Sequence, residues 1–154
     1  TQHLPAADLR AMAVYLQSLP PQADASTGAR TSTVPPDDAR RDRGARLYRD
    51  HCADCHGAQG EGGVTPSGTP AVPALAGNRL VTMEPAVNLV RVIALGGFGP
   101  ATAGNPRPYG MPPFAHALSD AELADVATYV RSAWGPPASP VSAFDVARWR
   151  GSDD

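Results

Sequence analysis

Lysine is missing from this sequence of 154 residues, so all 13 of its positively charged side chains are arginines. They form no basic patch and the net charge is −2 at pH 7, which argues against nucleic-acid binding because that depends on clustered positive charge. No stretch reaches the ~20 consecutive apolar residues of a membrane-spanning helix. Aromatic residues make up only 6% of the chain, so we expect a core of modest size.

Cysteine is almost as scarce, since the chain has only two, and both lie in the segment Cys52–His56. The pattern Cys-x-x-Cys-His is typical of c-type haem attachment, in which two thiols add to the haem vinyl groups and the histidine binds the iron. A redox-active dithiol would need a βαβ context, a zinc site would need a second ligand pair, and a plain disulfide is the third alternative. The motif predicts one covalent haem c held by Cys52, Cys55 and His56.

Residues 5–19 predict an amphipathic helix that ends at Pro20. Its apolar stripe consists of Leu9, Met12, Ala13, Leu16 and Leu19. The segment resembles residues 119–133, with identities at Ala7/Ala121, Leu9/Leu123, Ala13/Ala127, Tyr15/Tyr129 and Ser18/Ser132. The simplest interpretation is that residues 1–19 are the last helix of a preceding domain of the same kind. Two helices that are alike by chance are the alternative.

The next segment, residues 20–36, has the Pro-, Ser- and Thr-rich composition of a linker. A helix is then predicted from an N-cap at Asp37 or Asp38 into the cysteine motif, with Gly44 and Tyr48 on the face that carries the first cysteine. A glycine inside a helix costs ~1 kcal/mol relative to alanine, so Gly44 predicts that another helix crosses closely there. A tolerated glycine is the alternative.

Glycine and proline are abundant, with 15 and 17 residues. They predict an irregular loop over residues 57–80 and a second loop over residues 96–118. Between these loops we expect a helix over residues 82–95, with Pro85 in its first turn and Gly96 at its C-cap. Its inward residues are predicted to be Val87, Val90 and Leu95.

The last long helix is predicted from a capping box of Ser119 and Glu122 to Gly135. Its buried stripe is predicted to be Leu123, Val126, Ala127, Val130 and Trp134. Residues 137–154 are interpreted as a C-terminal tail, with a short helix possible from Ser142.

A thioether ligand on the sixth position of the iron suits ferrous haem and raises its potential. Met12 precedes the linker and Met83 opens a helix, where packing roles are expected. Met111 lies in a Gly-Met-Pro-Pro segment, where prolines fix the backbone and glycine allows close approach. We therefore predict Met111 as the sixth ligand, with His116 as the runner-up and a loop hydrophobe as its alternative role. His51 is expected to face outward.

With these motifs in order, residues 37–136 resemble a class I cytochrome c. Gly44 and Tyr48 match the N-terminal helix of that family, and Val126 and Tyr129 match its C-terminal helix. The resemblance implies an all-α cytochrome c fold, with three to four helices and long Gly/Pro-rich loops around one covalent haem. It also implies that the two terminal helices cross at Gly44.

The segment from Pro73 to Leu75 resembles the Pro-x-Leu of the same family. This implies that the Pro73 carbonyl accepts the Nδ1 hydrogen of His56 and that Leu75 packs on the haem. Met111 in Gly-Met-Pro-Pro-Phe matches the family's ligand loop. The lysine ring of mitochondrial-type members is missing, which puts docking on an acidic partner in doubt.

Arg107 and Tyr109 lie beside the predicted ligand loop. We hypothesise that both approach a haem propionate, and ordinary surface positions are the alternative.

The finer resemblance is to the last haem domain of multi-haem cytochrome subunits of bacterial membrane-bound or periplasmic dehydrogenases. It implies an electron carrier, not an enzyme, that relays electrons from a dehydrogenase subunit to a quinone, a cytochrome or an oxidase. The expected location is the periplasm, through partners at the outer face of the inner membrane. The sequence does not open with a signal peptide, so we expect it to begin inside a longer polypeptide that carries a preceding haem domain.

Two other functions remain open at this point. In the first, Met111 is labile and the domain is a haem-based sensor or a peroxidase-like module. In the second, the domain is mainly structural, and its N-terminal helix and tail dock it to other subunits.

Overall fold

The structure is a computed structural model that describes residues 4–20, 37–64, 68, 70–99, 101 and 108–151. Its helices are α1 (Ala6–Ser18), α2 (Asp38–His51), α3 (Ala53–His56), α4 (Arg79–Thr82), α5 (Val87–Leu95), α6 (Asp120–Ala133) and α7 (Ala143–Trp149). Its short strands are β1 (Gly63–Val64), β2 (Pro70–Val72), β3 (Gly97–Phe98) and β4 (Gly110–Met111). The predicted linker, residues 20–36, lies outside the described part except for Pro20.

Helices α2 and α6 cross at Gly44, as the sequence predicts. A Cβ atom at Gly44 would meet the backbone oxygen of Asp125 and would lie 2.7 Å from the Cβ of Tyr129. Both helices have capped N-termini, because Asp37 accepts a hydrogen bond from the Arg40 backbone and α6 begins with the predicted capping box. The glycine is therefore required by the close approach of α6.

The core lies between α2, α5, α6 and α7. The predicted buried stripe of α6 is confirmed for four of its five members, and the fifth, Trp134, is half-buried. The buried apolar residues of α5 and α6 are Leu89, Val90, Ile93, Ala94, Leu123, Ala124, Val126, Ala127 and Val130. Apolar burial of this kind is the main favourable term for the domain.

Two charged side chains inside this core were not predicted. Asp125 accepts hydrogen bonds from the Nε atoms of Arg40 and Arg43, at 2.7 and 2.8 Å, and so ties α6 to α2. Arg131 is fully buried, and its guanidinium donates to the carbonyls of Val81, at 2.8 Å, and of Met83 and Ser139, while it pairs with the Glu84 carboxylate. Both buried charges are therefore hydrogen-bonded from more than one side, as burial requires.

The loop predicted over residues 57–80 contains regular structure. Strands β1 and β2 pair antiparallel, and α4 follows them with Asn78 as its N-cap. The prediction was wrong here because strands of two or three residues are too short to show a sequence period.

The helix predicted over residues 82–95 begins only at Val87. The backbone is extended at Met83, and the residue before a proline, here Glu84, disfavours the helical conformation. Gly96 is the C-cap as predicted, whereas Leu95 is 51% exposed and the prediction of an inward side chain was wrong.

The predicted C-terminal tail packs against α6 as far as it is described. The short helix possible from Ser142 is present as α7, with a capping box, and Val146 is buried. Val141 is also buried. Its amide donates to the Thr128 hydroxyl and its carbonyl accepts from the Arg40 guanidinium, which fixes the segment that precedes α7. The tail therefore helps to close the core.

Helix α1 differs from the others because none of its residues is buried. Its predicted apolar stripe, including Leu9, Met12 and Leu16, faces solvent. Within the described residues, no helix is both long and apolar enough to cross a membrane.

We expect Gly44→Ala to lower the free energy of unfolding of the haem-loaded protein by about 2 kcal/mol, because overpacking against α6 outweighs the gain in helix propensity. Urea unfolding followed by circular dichroism measures this. Gly135→Ala is the matched control, since a Cβ there meets no atom within 4 Å. Equal stability of the two variants would show that the helices do not need a glycine at the crossing.

Candidate haem-binding site

The cysteine motif forms a single helical turn at the end of α2. The Cys52 amide donates to the Tyr48 carbonyl, at 2.8 Å, and the Cys52 carbonyl accepts from the amides of Cys55 and His56, at 3.2 and 2.9 Å. Residues three apart on such a turn lie on one side of it, so both sulfurs can reach one flat ligand. The thiols are free, which leaves the disulfide alternative without support in this structure.

Cys52 is half-buried against the core and Cys55 is exposed. Burial, and then the neighbouring Cys55, raise the pKa of the Cys52 thiol to about 11. A reactive thiol needs a lowered pKa, so Cys52 is not an activated nucleophile in this environment.

His56 is buried, and its Nδ1 atom lies 3.0 Å from the Pro73 carbonyl oxygen. A carbonyl oxygen can only accept, so Nδ1 carries the hydrogen and donates it. Nε2 then carries the free electron pair that a metal ligand needs, and the hydrogen bond fixes the ring orientation. This is the contact that the resemblance implies for His56.

The backbone after His56 is held at several points. The Gly62 amide donates to the His56 carbonyl at 2.7 Å, and the Gly60 carbonyl accepts from the amides of Leu75 and Ala76, at 2.7 and 3.0 Å. These bonds join the His56 segment to the Pro-x-Leu segment and so place the Pro73 carbonyl.

An aromatic cluster supports the same loop from the core side. The Tyr48 hydroxyl donates to the Gly57 carbonyl at 2.6 Å, and the ring centroids of Tyr48 and Trp134 are 5.1 Å apart. The Trp134 ring lies against Gly60, where a Cβ would come within 2.8 Å of it. Gly60 has a φ of 66°, so both its conformation and the close ring favour glycine.

Met111 lies on β4, paired with Gly97 of β3, and is half-buried against the same core as Cys52 and Leu75. Beside it is an open apolar cleft of about 430 Å³. The cleft is lined by Leu95, Gly97, Phe98, Gly110, Met111, Pro112 and Pro113.

The other predicted site residues are less closely connected. Pro73 is exposed apart from its carbonyl contact, Leu75 is half-buried, and Tyr109 is 70% exposed. Arg107 lies outside the described residues. The runner-up ligand His116 is exposed.

Sequence reasoning missed two apolar residues beside Met111 as site residues. Leu95 and Phe98 line the cleft, and Phe98 is 83% exposed in a chain with few aromatics. Exposed apolar side chains that line one cleft together with Met111 form a contiguous apolar patch, and such patches often mark a binding site. The sequence pattern that could have indicated this surface is Gly96-Gly97-Phe98, an aromatic residue after two glycines at the end of a predicted helix.

The donor set fits a c-type haem. Two free thiols, one imidazole with its Nε2 available and an apolar cleft are what the group requires. In the part of the chain that the structure describes, no three His, Cys, Asp or Glu side chains form a cluster suited to a lone metal ion.

The protein-family model described as Cytochrome c matches residues 41–134. The chain belongs to the cytochrome c family. This membership confirms the cytochrome c fold expected from the resemblance, and the described residues are mostly helical as that fold requires. It implies a covalently bound haem c, for which Cys52 and Cys55 are the only cysteines available.

Several curated relatives resemble almost the whole of this cytochrome c chain. The cytochrome c subunit of alcohol dehydrogenase (quinone) from Gluconobacter oxydans (strain 621H) is 36% identical over 97% of the chain and 31% of the relative. The protein of the same name from Gluconacetobacter polyoxogenes is 36% identical over 97% of the chain and 32% of the relative. The gluconate 2-dehydrogenase cytochrome c subunit from Pantoea cypripedii is 35% identical over 97% of the chain and 34% of the relative.

The cytochrome c chain thus spans about a third of the length of these relatives. The expected likeness to cytochrome subunits of bacterial dehydrogenases is confirmed. Membership of the cytochrome c family implies electron transfer.

We expect Tyr48→Phe to lower the free energy of unfolding of the haem-loaded cytochrome by about 1 kcal/mol at neutral pH, because the Gly57 hydrogen bond is lost. Burial, the largest cause, then Cys52 and Glu61 raise the pKa of Tyr48 from 10.0 to about 12. A thioether at Cys52 carries no charge, so burial remains the cause in the loaded protein.

The folded state therefore keeps a proton that the unfolded state releases, and wild-type stability falls as the pH rises from about 10 to about 12. Urea unfolding across this range should show a smaller fall in Tyr48→Phe. Tyr15→Phe, at an exposed position of α1, should behave as the wild type. An unchanged fall in Tyr48→Phe would assign the pH dependence to other groups.

Proposed function

We propose that this domain transfers single electrons through a haem c with His56 and Met111 as axial ligands. It relays electrons from a dehydrogenase subunit to a downstream acceptor, which is a quinone, a cytochrome or an oxidase. The observation that carries the proposal is the contact between His56 Nδ1 and the Pro73 carbonyl, at 3.0 Å, directly after two free thiols. It leaves Nε2 available as an iron ligand.

A bound haem c supplies a one-electron iron couple. The chain's own residues hold and tune the group. Cys52 and Cys55 attach it, and the Pro73 carbonyl fixes the orientation of His56 and raises its basicity as a ligand. Leu75, Leu95 and Phe98 would exclude water from its faces. Two strong protein ligands would keep the geometry of the iron similar in both oxidation states, which favours fast transfer.

Met111 as the sixth ligand is supported by its place on a short strand, half-buried and bordered by Pro112 and Pro113. The two prolines restrict the backbone that follows it. Met83 is exposed at the end of α4, and Met12 is exposed on α1. A role for Tyr109 and Arg107 beside a propionate is proposed only from their place near this loop.

The dehydrogenase partner is supported by the relatives, which are named as cytochrome c subunits of dehydrogenases. Covalent haem attachment favours an exported protein, so we place the domain in the periplasm, held at the outer face of the inner membrane through its partners.

We expect Met111→Ala to abolish the weak long-wavelength band of the ferric protein that reports sulfur bonded to haem iron. The reduced variant should bind carbon monoxide, whereas the reduced wild type should bind it poorly, because a protein ligand already fills the sixth position. Absorption spectra of both oxidation states measure this. Met83→Ala is the matched control, since it removes an exposed methionine and should leave the spectra unchanged.

Two results would contradict the assignment of Met111 as the sixth ligand. If the wild type lacks the sulfur band and is high-spin, the iron is open and the sensor or peroxidase-like alternative is favoured. If the wild type is low-spin but lacks the sulfur band, and Met111→Ala has the same spectrum, another protein ligand such as His116 binds the iron.

We also propose that α1 is the last helix of a preceding cytochrome domain, joined through residues 20–36 to the domain that starts at residue 37. The exposure of its whole apolar stripe supports this, as does its likeness to α6, whose equivalent residues are buried.

A chain that starts at residue 37 should therefore keep the haem spectrum and the unfolding midpoint of the longer chain, because no α1 residue is buried. Absorption and urea unfolding of the two haem-loaded proteins measure this. Truncation inside α7, which removes the buried Val146, is the contrasting variant and should lower stability. A lower midpoint for the chain that starts at residue 37 would mean that α1 belongs to this domain.

A further inference from the structure

Gly96 ends α5 in a conformation that other residues rarely adopt. Its φ is 68° and its ψ is −161°, a region that is essentially restricted to glycine. The residue therefore turns the chain sharply from α5 into β3.

Residues 110–115, here called the Met111 segment, carry the methionine. The backbone of this segment lies directly against the turn at Gly96. A Cβ at Gly96 would meet the Met111 carbonyl oxygen, and it would lie 2.8 Å from both the Pro112 carbonyl carbon and the Pro113 nitrogen. These are backbone atoms, and Pro112 and Pro113 have little freedom to move away. A side chain at position 96 would have to displace the Met111 segment itself.

Two hydrogen bonds hold the next residues to the end of α5. The Phe114 amide donates to the Ile93 carbonyl and the Ala115 amide donates to the Ala94 carbonyl, both at 3.1 Å. Carbonyls in the last turn of a helix have no partner within the helix, so these bonds satisfy them. With the pairing of Met111 to Gly97, the segment is fixed on both sides of the methionine.

We propose that Gly96 is a positioning residue for Met111, holding the methionine backbone at the C-terminus of α5. The inference rests on the proposed function, in which Met111 is the sixth ligand. Gly96 acts through backbone contact. Because it has no Cβ, the Met111 segment can pack against it while the Phe114 and Ala115 amides donate to the carbonyls of Ile93 and Ala94.

The test compares three glycine variants of the haem-loaded protein. Gly96→Ala should weaken or remove the sulfur band of the ferric form. Added imidazole, which competes with Met111 for the iron, should bind about tenfold more tightly, because the alanine Cβ would displace the Met111 backbone and alanine is strained at this φ.

Two controls separate this contact from backbone strain and from a general effect of added bulk. Gly77 has a φ of 71°, close to that of Gly96, but a Cβ there meets no atom within 4 Å. A Cβ at Gly135 also meets no atom within 4 Å. Gly77→Ala and Gly135→Ala should both keep the sulfur band and the wild-type affinity for imidazole.

The outcomes distinguish this inference from the function on which it rests. If the wild type has the sulfur band and Met111→Ala loses it, the ligand assignment holds. If Gly96→Ala then keeps the band and the wild-type affinity for imidazole while only its unfolding midpoint falls, Gly96 is structural and the inference is overturned. If the wild type has no sulfur band, the proposed function fails first.

A measurement on the wild type covers the case in which Gly96→Ala does not fold. Amide hydrogen exchange should protect Phe114 and Ala115 to a similar degree as Gly96, whose amide donates to the Val92 carbonyl at 3.0 Å. Such protection supports the docking of the segment on α5. Exchange of both amides at the rate of an unstructured peptide overturns it.

Discussion

The contact between α2 and α6 at Gly44 is the constraint on which the site depends. Because α2 runs directly into Cys52, its placement against α6 also places the attachment motif. The far end of α6 carries Trp134, which touches both Tyr48 of α2 and Gly60 of the loop after the motif. One helix pair therefore supports the motif at its start and at its following loop.

The features that a few adjacent residues encode could be predicted from the sequence. Asp37 and Ser119 each cap a helix through a side chain that accepts from an amide three residues further on. The end of α5 is indicated by Gly96 alone. The attachment motif is equally local. The crossing at Gly44 was predictable for a different reason, since an unfavourable residue inside a helix requires a packing cause.

Contacts between distant segments could not be predicted in this way. Asp125 interrupts the apolar pattern of α6 without showing that Arg40 and Arg43 of α2 neutralise it. Leu95 lies off the buried stripe of α5, but the helical period does not report the cleft beside Met111 that this exposed residue lines. The burial of Val146 likewise depends on how the last helix folds back on α6.

Under the proposed function, the two axial ligands are held by different means. His56 is fixed through its own side chain by the Pro73 carbonyl, and its neighbours Cys52 and Cys55 are bonded to the haem. Met111 has no such side-chain partner in the described structure, so its position depends on the backbone around it. The difference between an electron carrier and a ligand-binding haem protein is then decided by how firmly that backbone is held, and not by the presence of a methionine alone.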